Sequence, residues 1–243
     1  MKRYFAVVSM MCLFALAGIA GAVAQEAQKA NPATDFKYDL TEDGEGVIIK
    51  KYTGTSTEVV IPAEIEDFPV VGVGVEAFSE TNIVSVVFPD SDIWIGYSCF
   101  EKCKSLQNVV LPKNLKIISA SLFYGCTSLK AITLPNSIET IYQQSFENSG
   151  LESIDIPDSV TVIKHTGFST GGAFAYCKNL KTVNIGKGIK SIAKETFYYC
   201  SSLITVNINV EKVEYGYSVF SGCSSLSLKE KKKIRDTGYT GGF

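Results

Sequence analysis

Phe100-Glu101-Lys102-Cys103-Lys104-Ser105-Leu106-Gln107-Asn108-Val109-Val110-Leu111-Pro112 is answered 23 residues later by Phe123-Tyr124-Gly125-Cys126-Thr127-Ser128-Leu129-Lys130-Ala131-Ile132-Thr133-Leu134-Pro135. Phe, Cys, Leu, two further aliphatic residues and Pro hold the same places in both. The Phe recurs along the chain at Phe78, Phe100, Phe123, Phe146, Phe174, Phe197 and Phe220, with spacings of 22, 23, 23, 28, 23 and 23. A fixed period of this size is the mark of a repeat architecture, and it takes precedence over any residue-by-residue reading.

Three residues after the Phe stand Cys103, Cys126, Cys177, Cys200 and Cys223, and three further on Leu106, Leu129, Leu180, Leu203 and Leu226. Thr81 and Ser149 replace the Cys in two units that are also one residue shorter before Ile83 and Leu151. Cysteine therefore travels with the longer turn, as a small side chain filling the space that turn creates. The unit continues as L-x-x-[VI]-x-[LI]-Pro. Its last two apolar residues are two apart, the period of a strand with one face inward. Proline ends the strand because it cannot donate to a ladder. A second apolar pair follows, and its alternation at Ile93/Ile95 and Val213/Tyr215 points to a second short extended segment.

A unit of 23 residues cannot bury a face alone, whereas stacked units cover one another and form a continuous core. The expected fold is a mainly β repeat solenoid, a leucine-rich-repeat-like right-handed coil with a parallel sheet. Rungs ~4.8 Å apart would make that sheet roughly 30–35 Å long over seven units. The ends need caps. Phe36-Tyr38-Leu40, the Asp43-Gly44 turn and Val47 to Tyr52 read as an N-terminal β-hairpin cap. Ser227-Leu228-Lys229-Glu230 reads as a capping box opening a short C-terminal helix cap through Arg235, with Gly238 as its stop.

Residues 1–24 carry Lys2 and Arg3, an uncharged run from Phe5 to Ala24, and Ala22-Val23-Ala24, the pattern of a signal peptide. Residues 25–35 read as a flexible leader and 36–243 as the solenoid with its caps. The rest of the chain has no second run long and apolar enough to span a bilayer. The whole chain carries 23 basic and 25 acidic side chains. That balance argues against nucleic acid as a partner, because nucleic-acid modules carry a basic face.

The columns resemble the BspA-like, or treponemal-type, class of bacterial leucine-rich repeats, whose pattern is carried here by Phe100-x-x-Cys103-x-x-Leu106 and Phe123-x-x-Cys126-x-x-Leu129. The resemblance spans about residues 36–243. It implies an exported bacterial solenoid, often displayed on the cell surface. Some members of the class act as adhesins that bind host matrix proteins or mediate contact between bacteria.

Candidate chemistry is thin. Gly72-Val73-Gly74-Val75-Glu76-Ala77 matches a dinucleotide-loop pattern, but Phe78 arrives in the repeat column where a helix would have to open. No C-x-x-C metal spacing occurs, and His165 is the single histidine. No metal, cofactor or enzymatic activity is expected. Export raises the question of disulfides, yet ladder side chains point in parallel rather than at each other, which favours buried free thiols. The run Lys229 to Arg235 reads as a solvated helix face.

Function is therefore sought on the surface. The outward strand positions run Val87, Val110, Thr133, Asp155, Asn184 and Asn207, apolar at first and polar later. Tyr124, Tyr176, Tyr198 and Tyr199 place aromatics in the turns, a residue type enriched at interfaces. Between Ile156 and Phe174 the chain is six residues longer than in regular units, an excess lying within residues 165–172 and holding Phe168. Such insertions map to loops on one face. Val110, Thr133, Asp155, Asn184, Asn207, Phe168 and Tyr198 are the candidate partner-binding residues. The leading expectation is a monomeric, exported, non-enzymatic protein-binding module of adhesin type; the alternative is a passive structural or antigenic component of the cell envelope. The Ala-x-Ala motif places the mature N-terminus at Gln25. Mass spectrometry of the protein from its native cell should find that terminus, and a stable product retaining Met1 would refute export.

Overall fold

The computed structural model describes residues 29–167 and 171–243. The expected signal peptide and the start of the expected leader lie outside the described residues, as does Phe168. The strands are β1 (Phe36–Leu40), β2 (Val47–Tyr52), β3 (Glu58–Val60), β4 (Glu64–Ile65), β5 (Phe68–Val73), β6 (Ser85–Val87), β7 (Trp94–Ile95) and β8 (Asn108–Val110). They continue as β9 (Ile117–Ile118), β10 (Thr140–Tyr142), β11 (Ser153–Ile156), β12 (Val162–Lys164), β13 (Thr182–Ile185), β14 (Ser191–Ile192), β15 (Thr205–Ile208) and β16 (Glu214–Tyr215), before the helix α1 (Leu228–Asp236). The chain is a mainly β solenoid of about seven turns.

The turns of the coil build three ladders. The first is built from the L-x-x-[VI]-x-[LI] segments, and the expected continuous sheet is in two parts: β3-β6-β8 and β11-β13-β15, all parallel. Residues 131–135 between them form no strand. Leu129 and Leu134 are nevertheless buried there, and Glu152 N–H donates to Lys130 O at 2.9 Å, so apolar burial and one backbone bond carry the rung across the interruption. The second ladder runs β2-β5-β7 and then β9-β10-β12-β14-β16. It occurs in units whose apolar pair is three apart, such as Leu115/Ile118, as well as in the two where the pair alternates. In those units Leu115 N–H, Ile138 N–H and Val160 N–H close turns on the carbonyls of Pro112, Pro135 and Pro157. The first apolar residue ends a turn and the second lies in a strand, so their spacing shows no strand period.

The third ladder is built from turns. The N–H of Phe78, Phe100, Phe123, Phe146, Phe174 and Phe197 each donates to the carbonyl one place before the next unit's Phe, as in Phe123 N–H to Ser145 O at 2.7 Å. Two residues later Glu80, Lys102, Gly125, Asn148, Tyr176 and Tyr199 do the same one place after it. For alternate N–H groups all to point along the solenoid, the intervening backbone must reverse hand. Glu80, Lys102, Asn148, Tyr176 and Tyr199 accordingly have φ between 53° and 60°, and Glu76, Ser98, Ser121, Gln144, Glu195 and Ser218, two before the Phe, lie between 52° and 57°. Non-glycine residues pay roughly 1–2 kcal/mol for that conformation. They hold it here because each turn is fixed by hydrogen bonds to its neighbour. Gly125, at φ 70°, takes it without that cost.

Inside, all seven Phe of the column are fully buried. Neighbouring rings stack with centroids 5.1–5.5 Å apart. The column is longer than the repeat: Phe36 and Tyr52 begin it, and Tyr239 closes it edge-on against Phe220 at 5.2 Å. The six cysteines among the described residues are free and buried. They do more than fill space. The thiols of Cys103, Cys126, Cys177, Cys200 and Cys223 donate to the Phe carbonyl of the preceding unit at 3.0–3.1 Å.

Both caps form. β1 pairs antiparallel with β2, and β2 lies parallel on β5. The leader is fastened before the hairpin starts, since Asn31 exchanges hydrogen bonds with Val60 and Ala33–Asp35 form a 3-10 turn. Ser227 Oγ accepts from Glu230 N–H and caps α1, which ends at Thr237 and Gly238. The capping box is only half made. Glu230 reaches away from Ser227 and accepts from Val206 N–H of β15, tying the cap to the last rung. The helix cations are engaged too: Lys232 with Asp236, Lys233 with Glu230, and Lys231 and Arg235 over the ring of Phe243.

Phe123→Ala should lower the free energy of unfolding by about 3–5 kcal/mol, measured by urea denaturation followed by circular dichroism. Gly125→Ala should cost about 1 kcal/mol in the same assay, the expense of a Cβ at positive φ.

Candidate functional site

The outward residues expected to share one surface fall into separate groups. Val110 is 48% exposed at the end of β8. Thr133 is exposed but lies in the interruption and belongs to no strand. Asp155, Asn184 and Asn207 stand in register on β11, β13 and β15. Their side chains form a chain of hydrogen bonds: Asn207 Nδ2 donates to Asn184 Oδ1 at 2.7 Å, and Asn184 Nδ2 donates to Asp155 Oδ1. Part of their polar capacity is thus used along the sheet, and the column is braced as well as exposed.

Tyr198 lies on the turn ladder rather than on this sheet. It packs with Tyr199 at 4.6 Å, Tyr176 packs with Tyr198 at 5.6 Å, and Tyr176 with Tyr199 at 5.8 Å. Tyr198 is half-buried, while Tyr176 and Tyr199 are 38% and 48% exposed. The last two occupy the positive-φ positions of consecutive turns, so the ladder that holds the backbone also fixes where the rings project. Beside them a hollow of about 270 Å³ is lined by Tyr124, Glu147, Asn148, Tyr176 and Lys178.

Glu147 is a buried acid that the repeat pattern does not single out. It follows a column Phe, where the equivalent residues include Tyr124 and Tyr198, and its burial comes from the end of the insertion. A Cβ on Gly171 would fall 2.1 Å from Glu147 Oε2, and Gly171 N–H donates to Glu195 Oε2 at 3.3 Å. Glu147 Oε2 is enclosed without a hydrogen-bond partner. Burial pushes its carboxyl up to about 7, with the Glu195 charge adding to the rise and a hydrogen bond from Gln144 opposing it. A raised acid between two aromatic turns is a feature of many active sites. Among the described residues no three His, Cys, Asp or Glu side chains gather as a metal site. The thiols are unsuited to nucleophilic work, because burial holds Cys126, Cys177 and Cys200 above the usual thiol range. Gly72 and Gly74 of the dinucleotide-like stretch belong to β5 and the turn after it, with no helix following. His165 stands just after β12, where the insertion begins.

Trp94 is the other residue outside the repeat logic. It is 46% exposed on β7, next to Ile117 at 42%. Its sequence signal is slight: the residue in register with it on β5 is Gly72, the smallest possible neighbour.

Six copies of the BspA type leucine rich repeat match residues 51–171 and 170–233. The chain belongs to the BspA-type leucine-rich repeat family. A solved leucine-rich repeat protein of T. pallidum is similar at 34% identity and a TM-score of 0.79, over 88% of this chain and 99% of that one. One from Bacteroides ovatus shares the fold at 24% identity and a TM-score of 0.59, over 79% of this chain and 62% of that one. No curated protein matches. Leucine-rich repeats are in general protein-interaction modules, and the BspA-like proteins are generally exported or on the surface. Among the described residues no helix is long and apolar enough to cross a membrane.

The raised Glu147 carboxyl gives a pH dependence with a definite sign. Folding favours the protonated acid, so this contribution is fully present below the ordinary carboxyl range near 4.5 and is lost as pH rises through about 7. The full shift corresponds to about 3 kcal/mol, and residual contact with solvent lowers that figure. The melting temperature should fall between pH 5 and pH 8 more steeply in the parent than in Glu147→Gln. Parallel profiles for the two proteins would contradict the assignment.

Proposed function

We propose that this protein is an exported, non-enzymatic binding scaffold that docks a protein partner, in the manner of a surface adhesin, through the tyrosine patch of its turn ladder. The observation that carries the reading is the mutual packing of Tyr176, Tyr198 and Tyr199 beside the hollow at Glu147 and Lys178. Tyrosine brings large contact area with few rotatable bonds, and interface energy concentrates in such anchors. Rings mounted on a hydrogen-bonded backbone lose little further freedom on binding. The bracing of Asp155, Asn184 and Asn207 makes the first sheet a supporting surface, and Phe168 is proposed as a further contact because the insertion ends beside the same hollow. The membership of a generally exported, protein-binding family and the signal-like N-terminus support the location.

The protein spanning residues 25–243 should be tested for binding to purified host matrix proteins and to intact bacterial cells. Tyr176→Ala with Tyr199→Ala should weaken any saturable binding at least tenfold while the melting temperature stays within a few degrees. Unchanged affinity in the double variant would move the site elsewhere, and the absence of saturable binding to every probe would favour a passive envelope component.

A further inference from the structure

A groove of about 780 Å³ opens on the second ladder, on different residues from the tyrosine patch, and lies between residues 92–95 and 114–119. It coincides with a break in an otherwise regular ladder. β7 pairs with β5 and β9 pairs with β10, but β7 and β9 do not pair with each other. Trp94 is placed at the break. A Cβ on Gly72 would fall 2.2 Å from Trp94 Cε2 and 2.6 Å from Nε1, so the indole leans across the bare glycine, away from Ile117. The indole is thereby seated against Gly72, and the side chain remains 46% exposed. Ile93, Ile95 and Leu115 make the buried floor of the groove.

Its polar groups are few and ordered. Asn114 Nδ2 donates to Asp92 Oδ1 at 2.9 Å across the two units, forming an amide–carboxylate pair at one end. Ser119 Oγ donates to Ile95 O at 2.6 Å, occupying the carbonyl at the end of β7. The side chains at the groove offer an aromatic plate, an apolar floor and a hydrogen-bonded amide–carboxylate pair. Mostly apolar clefts of this size with a few convergent polar groups are the usual form of a ligand site. The complementary shape is a ring with one C–H face and a hydroxylated edge. The electron-rich face of an indole attracts polarised C–H groups, and an amide–carboxylate pair can both donate to and accept from neighbouring hydroxyls.

We propose that the groove between Trp94 and Ile117 binds a pyranose unit of a glycan, its C–H face on the Trp94 indole and its hydroxyls on Asp92 and Asn114. Trp94 is the single tryptophan of the chain, so intrinsic fluorescence reports on this groove directly. The protein spanning residues 25–243 is titrated with soluble gluco-, chito- and malto-oligosaccharides. At least one series should shift the emission saturably in the millimolar range or below. Asp92→Ala and Asn114→Ala, both at exposed positions, should weaken that binding at least tenfold with an unchanged melting temperature. Trp94→Ala, followed by calorimetry, should abolish it. A flat response to all three series up to tens of millimolar would overturn the proposal. So would oligosaccharide affinity that survives Asp92→Ala and Asn114→Ala, or a response confined to peptides with apolar side chains.

Discussion

Each phenylalanine of the column must lie on the next, and the rest of the molecule is arranged around that contact. Ring centroids 5.1–5.5 Å apart set a rung spacing that the backbone has to match on every side of the coil. The turns match it by alternating hand around the Phe, which aims successive N–H groups along the solenoid at the cost of positive φ in polar and aromatic residues alike. The thiol column lies within the same arrangement. Each Phe carbonyl already accepts from the N–H three residues on, and a thiol from the next unit takes up its remaining capacity in five places. Cysteine suits the position because its volume is apolar and its S–H is a weak donor.

The insertion shows how strongly the column dominates. Phe146 and Phe174 bracket 28 residues rather than 23, yet their rings stack at 5.1 Å and 4°, as closely as any pair. The extra length leaves the ring spacing unchanged, since loop closure costs little for added residues whereas a displaced ring would forfeit burial. Its end is then pressed onto Glu147 and Glu195, which converts a surface acid into an enclosed one. A local irregularity outside the core thus creates the most perturbed carboxyl in the described chain.

A core that repeats leaves the outward columns free to differ, and three sides of one coil carry three chemistries here. The first sheet presents a braced amide–carboxylate line, the turn ladder a tyrosine patch, and the second ladder an indole beside a gap. Rigid backbones hold all three sets of side chains in place. The exposed ion pairs between rungs, such as Lys116 with Glu139 and Lys102 with Glu80, are too solvated to add more than about 1 kcal/mol each. They fit the surface to water rather than hold the coil together.

The sequence by itself determined the solenoid, the buried column and both caps, because a period of 23 residues places identical side chains at identical depth and only stacking can bury them. It also determined that Cys126 and its equivalents are buried. What it could not carry is anything set by contact between units outside the columns. The second ladder was hidden wherever a turn and a strand shared an apolar pair, as at Leu115 and Ile118. The gap in the first ladder at residues 131–135 has a sequence as regular as its neighbours. The sequence put Tyr176, Tyr198 and Tyr199 in turns, but only the closed coil shows that the three rings pack on one another. Glu147 became enclosed through Gly171, and Trp94 became a plate through Gly72, each by a residue 22 or more positions away in the chain. Depth within a unit is a property of the repeat; proximity between different side chains of neighbouring units is decided by the tertiary structure.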